Sequence, residues 1–183
     1  MGKIDTEKGL MKKLTSSMAT INLLKGSKEK MDVYSYHYYN GISDRLASTM
    51  PSMHWHPDTT LSEAYLSVAL KCCESVIPSR DKYCPNGEMW VTESGDAGGG
   101  GDTWASTFMD VFRTLNELGG FSKLTNGIIF HNTLASSDYG FLDHSTFEPR
   151  PNYFAVLLWT RLMGNTVYES EIPTQEGAHV YCH

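Results

Sequence analysis

Three stretches of this chain end in side chains able to do chemistry: Tyr36-His37-Tyr38-Tyr39-Asn40, Thr92-Glu93 and Phe130-His131-Asn132. Glu93 leads them. It follows the apolar run Met89-Trp90-Val91 and precedes a glycine-rich loop, so its carboxylate is held rigidly at the end of a strand. Retaining glycoside hydrolysis needs such a group as nucleophile, opposed by an acid about 5 to 5.5 Å away. A salt-bridged strand-end carboxylate is the alternative that position alone leaves open. The run Gly98-Gly99-Gly100-Gly101 has no side chains and permits φ > 0, so successive backbone N–H groups are able to converge on an anion such as a sugar carboxylate. A merely flexible turn has the same sequence. No Gly-Lys-Ser/Thr follows, and the dinucleotide spacing is missing, so the run is neither a phosphate loop nor a cofactor fingerprint, and no cofactor is called for. His37, Tyr39, His131 and Tyr139 are candidate hydrogen-bonding contacts to a sugar. Strand alternation puts His37 and Tyr39 on one face and Tyr38 on the other, where it reads as a buried ring.

To meet, these groups need neighbouring parallel strands, whose carboxyl ends lie on one side of a sheet. The pattern supplies them. A first strand over 31–39 is closed by Asn40-Gly41, and a long loop to Thr60 follows. Ser62 caps a helix that Pro78 stops. A second strand covers 88–93, and a helix starts at Asp102 or Thr103 with Trp104, Phe108, Val111, Phe112 and Leu115 on its inner face; Gly119-Gly120 ends it. The third strand, 127–132, has no polar alternation, as if buried on both faces. A polar loop leads to a helix over 153–163 with Phe154, Leu157, Leu158 and Leu162 inside. Leu10, Met11, Leu14, Met18, Ile21 and Leu24 mark an amphipathic helix in the first 25 residues, and 166–168 and 178–181 read as strands interrupted by Pro173. The fold class is α/β: a helix, three βα units and a strand-rich end.

Composition bounds the rest. At 183 residues with 40% hydrophobic and 20% charged side chains, the chain folds around one core or a little more, and is not a disordered tail. A complete (β/α)8 barrel takes about 250 residues and rarely fewer than about 200, so it barely fits or does not fit. A net charge of -6 argues against nucleic acid as a partner, since phosphate binding needs clustered Lys and Arg. No apolar run approaches the roughly 20 residues of a membrane span, and the start lacks an apolar signal core. Cys72, Cys73, Cys84 and Cys182 make no CxxC pair, and His54-Trp55-His56 has no ligand partner at suitable spacing, so it reads as an exposed loop and no metal site is expected.

Read together, Tyr36-His37-Tyr38-Tyr39-Asn40-Gly41, Met89-Trp90-Val91-Thr92-Glu93-Ser94 with its glycine loop, Ser137-Asp138-Tyr139-Gly140-Phe141-Leu142 and Phe147-Glu148-Pro149-Arg150-Pro151-Asn152-Tyr153-Phe154 resemble glycoside hydrolase family 79, the heparanase and β-glucuronidase group. The resemblance covers about residues 31 to 165. It implies a retaining hydrolase of uronic-acid glycosides, with a (β/α)8 barrel followed by a β-sandwich. Residues 1–165 would then be a partial TIM barrel, about its last three βα units, and 166–183 the start of the β-rich segment. Glu93 matches the family nucleophile, Gly99 and Gly100 the loop positions whose amides hold the uronate carboxylate, and Tyr139 a tyrosine that assists them. His37 and Tyr39 fall in the aromatic stretch beside the active site. The family acid/base is a Glu preceded by Asn on an earlier strand, and the one Asn-Glu pair here, Asn116-Glu117, lies late in a helix. This implies a fragment inactive or weak alone. The alternative is a carbohydrate-binding half-barrel that self-associates through its open edges. For the full-length protein, the resemblance implies a secreted or lysosomal setting.

Overall fold

Strands β1 (Val33–Ile42), β2 (Glu88–Gly98) and β3 (Ile129–His131) form a parallel sheet in the order β1-β2-β3. Helices α1 (Glu63–Tyr83), α2 (Met109–Leu124) and α3 (Pro151–Leu162) follow them in turn. The expected α/β alternation is therefore what the chain adopts. This computed structural model describes residues 24–26, 31–125, 127–172, 175 and 178–183. The amphipathic helix expected at the start lies outside these residues except at its end, where Leu24 is buried.

The core forms where one face of the sheet meets α1 and α2. Tyr34, Tyr38, Met89 and Val91 pack there against Ala69, Cys73 and Phe121. Register decides what lies on the other face. Residues Val33 to Tyr36 pair with Glu88 to Val91, but His37 pairs with Glu93, so Thr92 is an extra residue in β2. Paired residues of parallel strands share a face and successive ones alternate, so one inserted residue exchanges the faces of everything beyond it. Met89 and Val91 are buried before the bulge, Ser94 and Asp96 after it. Glu93 thereby joins His37 and Tyr39 on the face away from the helices.

Several local expectations are overturned. Pro78 does not stop α1, which runs five residues further to Tyr83. Proline lacks an N–H and forfeits one helical hydrogen bond, but Val76, Ile77 and Tyr83 all pack on the core and hold the last turns. Gly119 and Gly120 lie inside α2 rather than ending it. A Cβ on Gly120 would stand 2.1 Å from Leu70 Cδ2, and one on Gly119 2.2 Å from the Tyr181 ring, so these glycines allow close packing. The helix starts at Met109, later than expected; Trp104 and Val111 are buried as expected, but Phe108 and Phe112 are exposed, and Asp110, Arg113 and Glu117 share the buried face with Val111 and Phe121. Arg113 bridges Asp110 at 2.6 Å and Glu117 at 2.7 Å, and Asn152 of α3 donates to Asp110 at 2.6 Å. β3 is not buried on both faces, since Ile128 and Phe130 are exposed and, among the described residues, no strand pairs its far edge. α3 begins at Pro151, the first-turn position where a missing N–H costs nothing, and it exposes Phe154, Leu158 and Leu162 while burying Asn152 and Ala155. The expected C-terminal strands are isolated bridges, Tyr168 to Cys182 and Gln175 to Ala178.

The Asp110-Arg113-Glu117 cluster generates a test. Arg113→Leu removes the cation and leaves two carboxyl groups buried, a change worth about 3–5 kcal/mol. Urea unfolding is expected to show a loss of that size; a loss below about 1 kcal/mol would mean the carboxyl groups find water instead.

Candidate active site

The bulge, the strand ends and the loops after them bring Glu93, His37, Tyr39, Asn132, Tyr139 and the glycine loop together. Tyr39 donates its hydroxyl proton to Glu93 Oε1 at 2.7 Å, and His37 Nδ1 lies 3.4 Å from Glu93 Oε2. Tyr39 pairs with Gly95 in the ladder, and a Cβ there would sit 3.0 Å from the Tyr39 ring and 3.2 Å from Tyr139. Gly95 thus lets both rings lie over β2, the position from which Tyr39 reaches back to Glu93. Partial burial and the neighbouring carboxylate raise the Tyr39 phenol above its ordinary range, so it stays a proton donor at neutral pH. Tyr38 faces the other way, buried and donating to Asn40 Oδ1 at 2.6 Å, as its place in the alternation required.

The sequence places Asn132 at a chemically promising strand end but gives it no role. Its backbone N–H donates to Ser94 O at 2.8 Å, anchoring it beside Glu93. Its side-chain Nδ2 donates to the hydroxyls of Tyr39 at 2.9 Å and Tyr139 at 3.2 Å. The available signal was its place directly after His131 at a strand end. His131 has a different job: its ring stacks on Phe141 at 4.0 Å between centroids, and Nε2 lies 2.7 Å from the Tyr139 carbonyl. Burial pushes its pKa down to about 4, so a neutral ring donates its Nε2 proton to that carbonyl. His131 holds Tyr139 from behind. Arg150 fixes the same loop by donating to the Ser137 and Asp138 carbonyls at 2.9 Å.

Gly99, Gly100 and Gly101 all have positive φ, 94°, 105° and 84°, a backbone that side-chain-bearing residues rarely adopt. Their peptide planes are fixed from outside. Ser43 N–H donates to Gly98 O at 2.9 Å and Asp138 N–H to Gly100 O at 2.9 Å; Arg45 donates to Gly101 O at 2.8 Å. In a trans peptide the N–H points opposite to its carbonyl, so the Gly99 amide faces away from Ser43. Among the described residues, neither the Gly99 nor the Gly100 N–H has an acceptor. The loop offers two amides for an anion.

Carboxyl groups hold the far end of this loop. Asp96 Oδ2 accepts from the Asp102 N–H at 2.8 Å, while Asp102 Oδ1 accepts from the Asp44 N–H at 2.6 Å and lies 3.4 Å from His54 Nε2. His54 is therefore largely enclosed, not the exposed loop residue its sequence implied. Burial, then the nearby Asp110 charge, raises the Asp96 carboxyl well above its ordinary range; burial lifts Asp102 to about 6. Among the described residues, no group of three or more His, Cys, Asp or Glu side chains is arranged to hold a metal ion. No helix among them is long and apolar enough to cross a membrane.

No sequence-family profile matches the chain. Curated proteins do. It is 31% identical over 154 residues to heparanase-like protein 1 of Arabidopsis thaliana, an alignment that covers 84% of this chain and 27% of that protein. Over 95 residues it is 37% identical to the baicalin-beta-D-glucuronidase of Scutellaria baicalensis, covering 51% and 18% of the two chains. Bos taurus heparanase is 27% identical over 165 residues, 88% of this chain and 29% of its own length. The chain thus spans less than a third of the relatives it matches.

The raised Asp96 and Asp102 carboxyl groups, with Glu117 raised by burial in the same sense, make stability depend on pH. A carboxyl whose folded pKa lies above its unfolded value stabilises the fold at low pH, and that contribution is lost as pH rises, for Asp102 between about 4 and 6. His131, with its pKa lowered, acts in the opposite sense, losing its contribution as pH falls from about 6.5 toward 4, so the comparison is made between variant and parent at each pH. Asp96→Asn keeps an acceptor for the Asp102 N–H and removes a buried ionisable group. It is expected to raise the melting temperature at pH 7 and to leave it nearly unchanged at pH 4; an equal shift at both values would show that Asp96 does not titrate across this range.

Proposed function

We propose that this chain, homologous over most of its length to heparanase-like proteins and a glucuronidase and consistent with glycoside hydrolase family 79, supplies the nucleophile side of a retaining glycosidase site for uronic-acid glycosides. Glu93 attacks the anomeric carbon, forming a C–O bond to its carboxylate as the glycosidic C–O bond breaks; water then hydrolyses the ester. His37 and Tyr39 orient the carboxylate. The Gly99 and Gly100 amides, with the Tyr139 hydroxyl, take the uronate carboxylate. The observation that carries this reading is the Tyr39 to Glu93 hydrogen bond beside a loop in which two amides have no acceptor among the described residues.

Three parallel strands in sequence order, each followed by a helix, support assigning residues 1–165 to a (β/α)8 barrel as three successive units, with 166–183 beginning a β-rich segment. Glu117 is not the acid, being buried and ion-paired with Arg113 on the helix side. Among the described residues the partners of Glu93 are Tyr39 and His37, with no carboxyl among them. The acid/base is assigned to another strand of the complete barrel, outside residues 1–183, and without it a rate loss of about 10²–10⁴ is expected. Both rim arginines are already occupied, Arg45 by Asp138 and Arg150 by Asp143, which favours simple glucuronides over a sulfated polymer. A second reading, a non-catalytic half-barrel that binds sugar and self-associates, is favoured by the exposed Ile128, Phe130 and Leu134 beside the β3 edge.

Leaving-group chemistry separates the two halves of the reaction. A dinitrophenolate departs without protonation, so dinitrophenyl β-glucuronide tests the nucleophile without the acid, whereas methyl β-glucuronide needs both. The expected result is slow release of dinitrophenolate by this chain, abolished in Glu93→Gln, with no turnover of the methyl glycoside. Release unaffected by Glu93→Gln would overturn the assignment, and sugar binding without any release would favour the second reading.

A further inference from the structure

The side-chain amide of Asn132 joins two tyrosines, and the direction of each hydrogen bond there is forced. Tyr39 gives its only hydroxyl proton to Glu93 Oε1 at 2.7 Å, so toward Asn132, 2.9 Å away, it can only accept. The Asn132 atom facing it must therefore be the NH₂ group, which settles the orientation of the amide. The same Nδ2 reaches the Tyr139 hydroxyl at 3.2 Å, where that oxygen also accepts. Tyr139 keeps its own proton, and among the described residues its hydroxyl has no acceptor. The Tyr139 ring is buried against the loop: a Cβ on Gly101 would lie 2.9 Å from its Cδ1.

We propose that Asn132 is a positioning residue that makes Tyr139 an obligate hydrogen-bond donor to an anionic oxygen of a ligand at the glycine loop, through a one-way chain of hydrogen bonds that starts at the Glu93 carboxylate. This deepens the uronate reading and rests on it. A carboxylate is acceptor-only and gains about twice the strength of a neutral hydrogen bond from such a donor, whereas a hydroxymethyl group in its place would gain much less. Asn132 thus favours a uronic acid over the corresponding neutral sugar without touching either. It also links the anion grip to the nucleophile, because Tyr39 and Tyr139 share its NH₂ group.

Asn132→Asp tests this, since a carboxylate of nearly the same shape accepts where the amide donates. Both tyrosines would turn their protons toward it, so Tyr39 would leave Glu93 and Tyr139 would face inward. Asn132→Gln keeps a donor and serves as the conservative control. Binding of glucuronate and of glucose to the full chain is followed by NMR titration. The expected result is a preference for glucuronate that falls about tenfold in Asn132→Asp, the size of one hydrogen bond to a charged group. Glucose affinity should be unchanged, and part of the loss should be recovered on acidification and in Asn132→Gln. Equal losses for both sugars would make Asn132 merely structural and overturn the proposal. If the parent itself shows no preference for glucuronate, the uronate reading fails, and the relay is judged on the free protein by the NMR coupling of the Tyr39 hydroxyl proton to Glu93. Its loss in Asn132→Asp and its retention in Asn132→Gln are expected; a Tyr39 proton still held by Glu93 in Asn132→Asp overturns the relay whether or not any sugar binds.

Discussion

The site depends on one inserted residue. With Thr92 as an extra member of β2, Glu93 pairs with His37 and lies on the face of Tyr39. If the same residues paired in regular register with no bulge, Glu93 would stand opposite Tyr38, continue the alternation of Met89 and Val91 and point into the core against α1 and α2. An ionised carboxylate there would need a partner to offset several kcal/mol of desolvation. Thr92 is held at the bulge by its hydroxyl, 3.4 Å from the Tyr36 carbonyl. Everything chemical follows from this exchange of faces. Tyr39 reaches Glu93 because Gly95 leaves room beneath its ring, and Asn132 reaches both tyrosines because its N–H continues the β2 to β3 pairing at Ser94.

Beneath the site, the other face carries unusual charge. Ser94 and Asp96, turned inward by the same bulge, meet the charged part of the buried face of α2: Ser94 Oγ donates to Glu117 at 3.2 Å, and Glu117 is held by Arg113. The two layers are coupled. Asp96 sits over this network and also accepts the N–H of Asp102 at the end of the glycine loop. The loop geometry is thus secured by groups whose protonation varies, while its outer edge is secured by Ser43, Arg45 and Asp138.

Much of this was legible in the sequence, and the misses have physical causes. Strand ends rich in Tyr, His, Glu and Asn were readable because apolar or aromatic runs precede them, and Gly41 and Gly95 follow the first two. The amphipathic stripe of α1 gave its existence but not its end, because tertiary contacts of Ile77 and Tyr83 outweigh the helix-breaking tendency of Pro78. Gly119 and Gly120 read as a stop signal, yet their role is to admit Leu70 and Tyr181. Trp104 and Val111 were placed correctly, but Phe108 and Phe112 were misplaced because aromatic residues were taken as inward by default, whereas an ion-paired arginine can be buried when carboxyl groups bracket it. The bulge has no local signature. A period-2 pattern shows which residues alternate but not where a strand skips one, and Asn132 draws its importance from partners 93 and 7 residues away.

The central claim is that the bulge delivers Glu93 as a nucleophile to an anomeric carbon. The most direct measurement is peptide mass spectrometry after incubation with 2-deoxy-2-fluoro-β-D-glucuronosyl fluoride, in which fluoride leaves without an acid and the ring fluorine slows release of the ester. The account predicts a single adduct of one 2-fluoroglucuronosyl group per chain, located on Glu93. An adduct on any other residue, or none under conditions where the chain is folded, would contradict it.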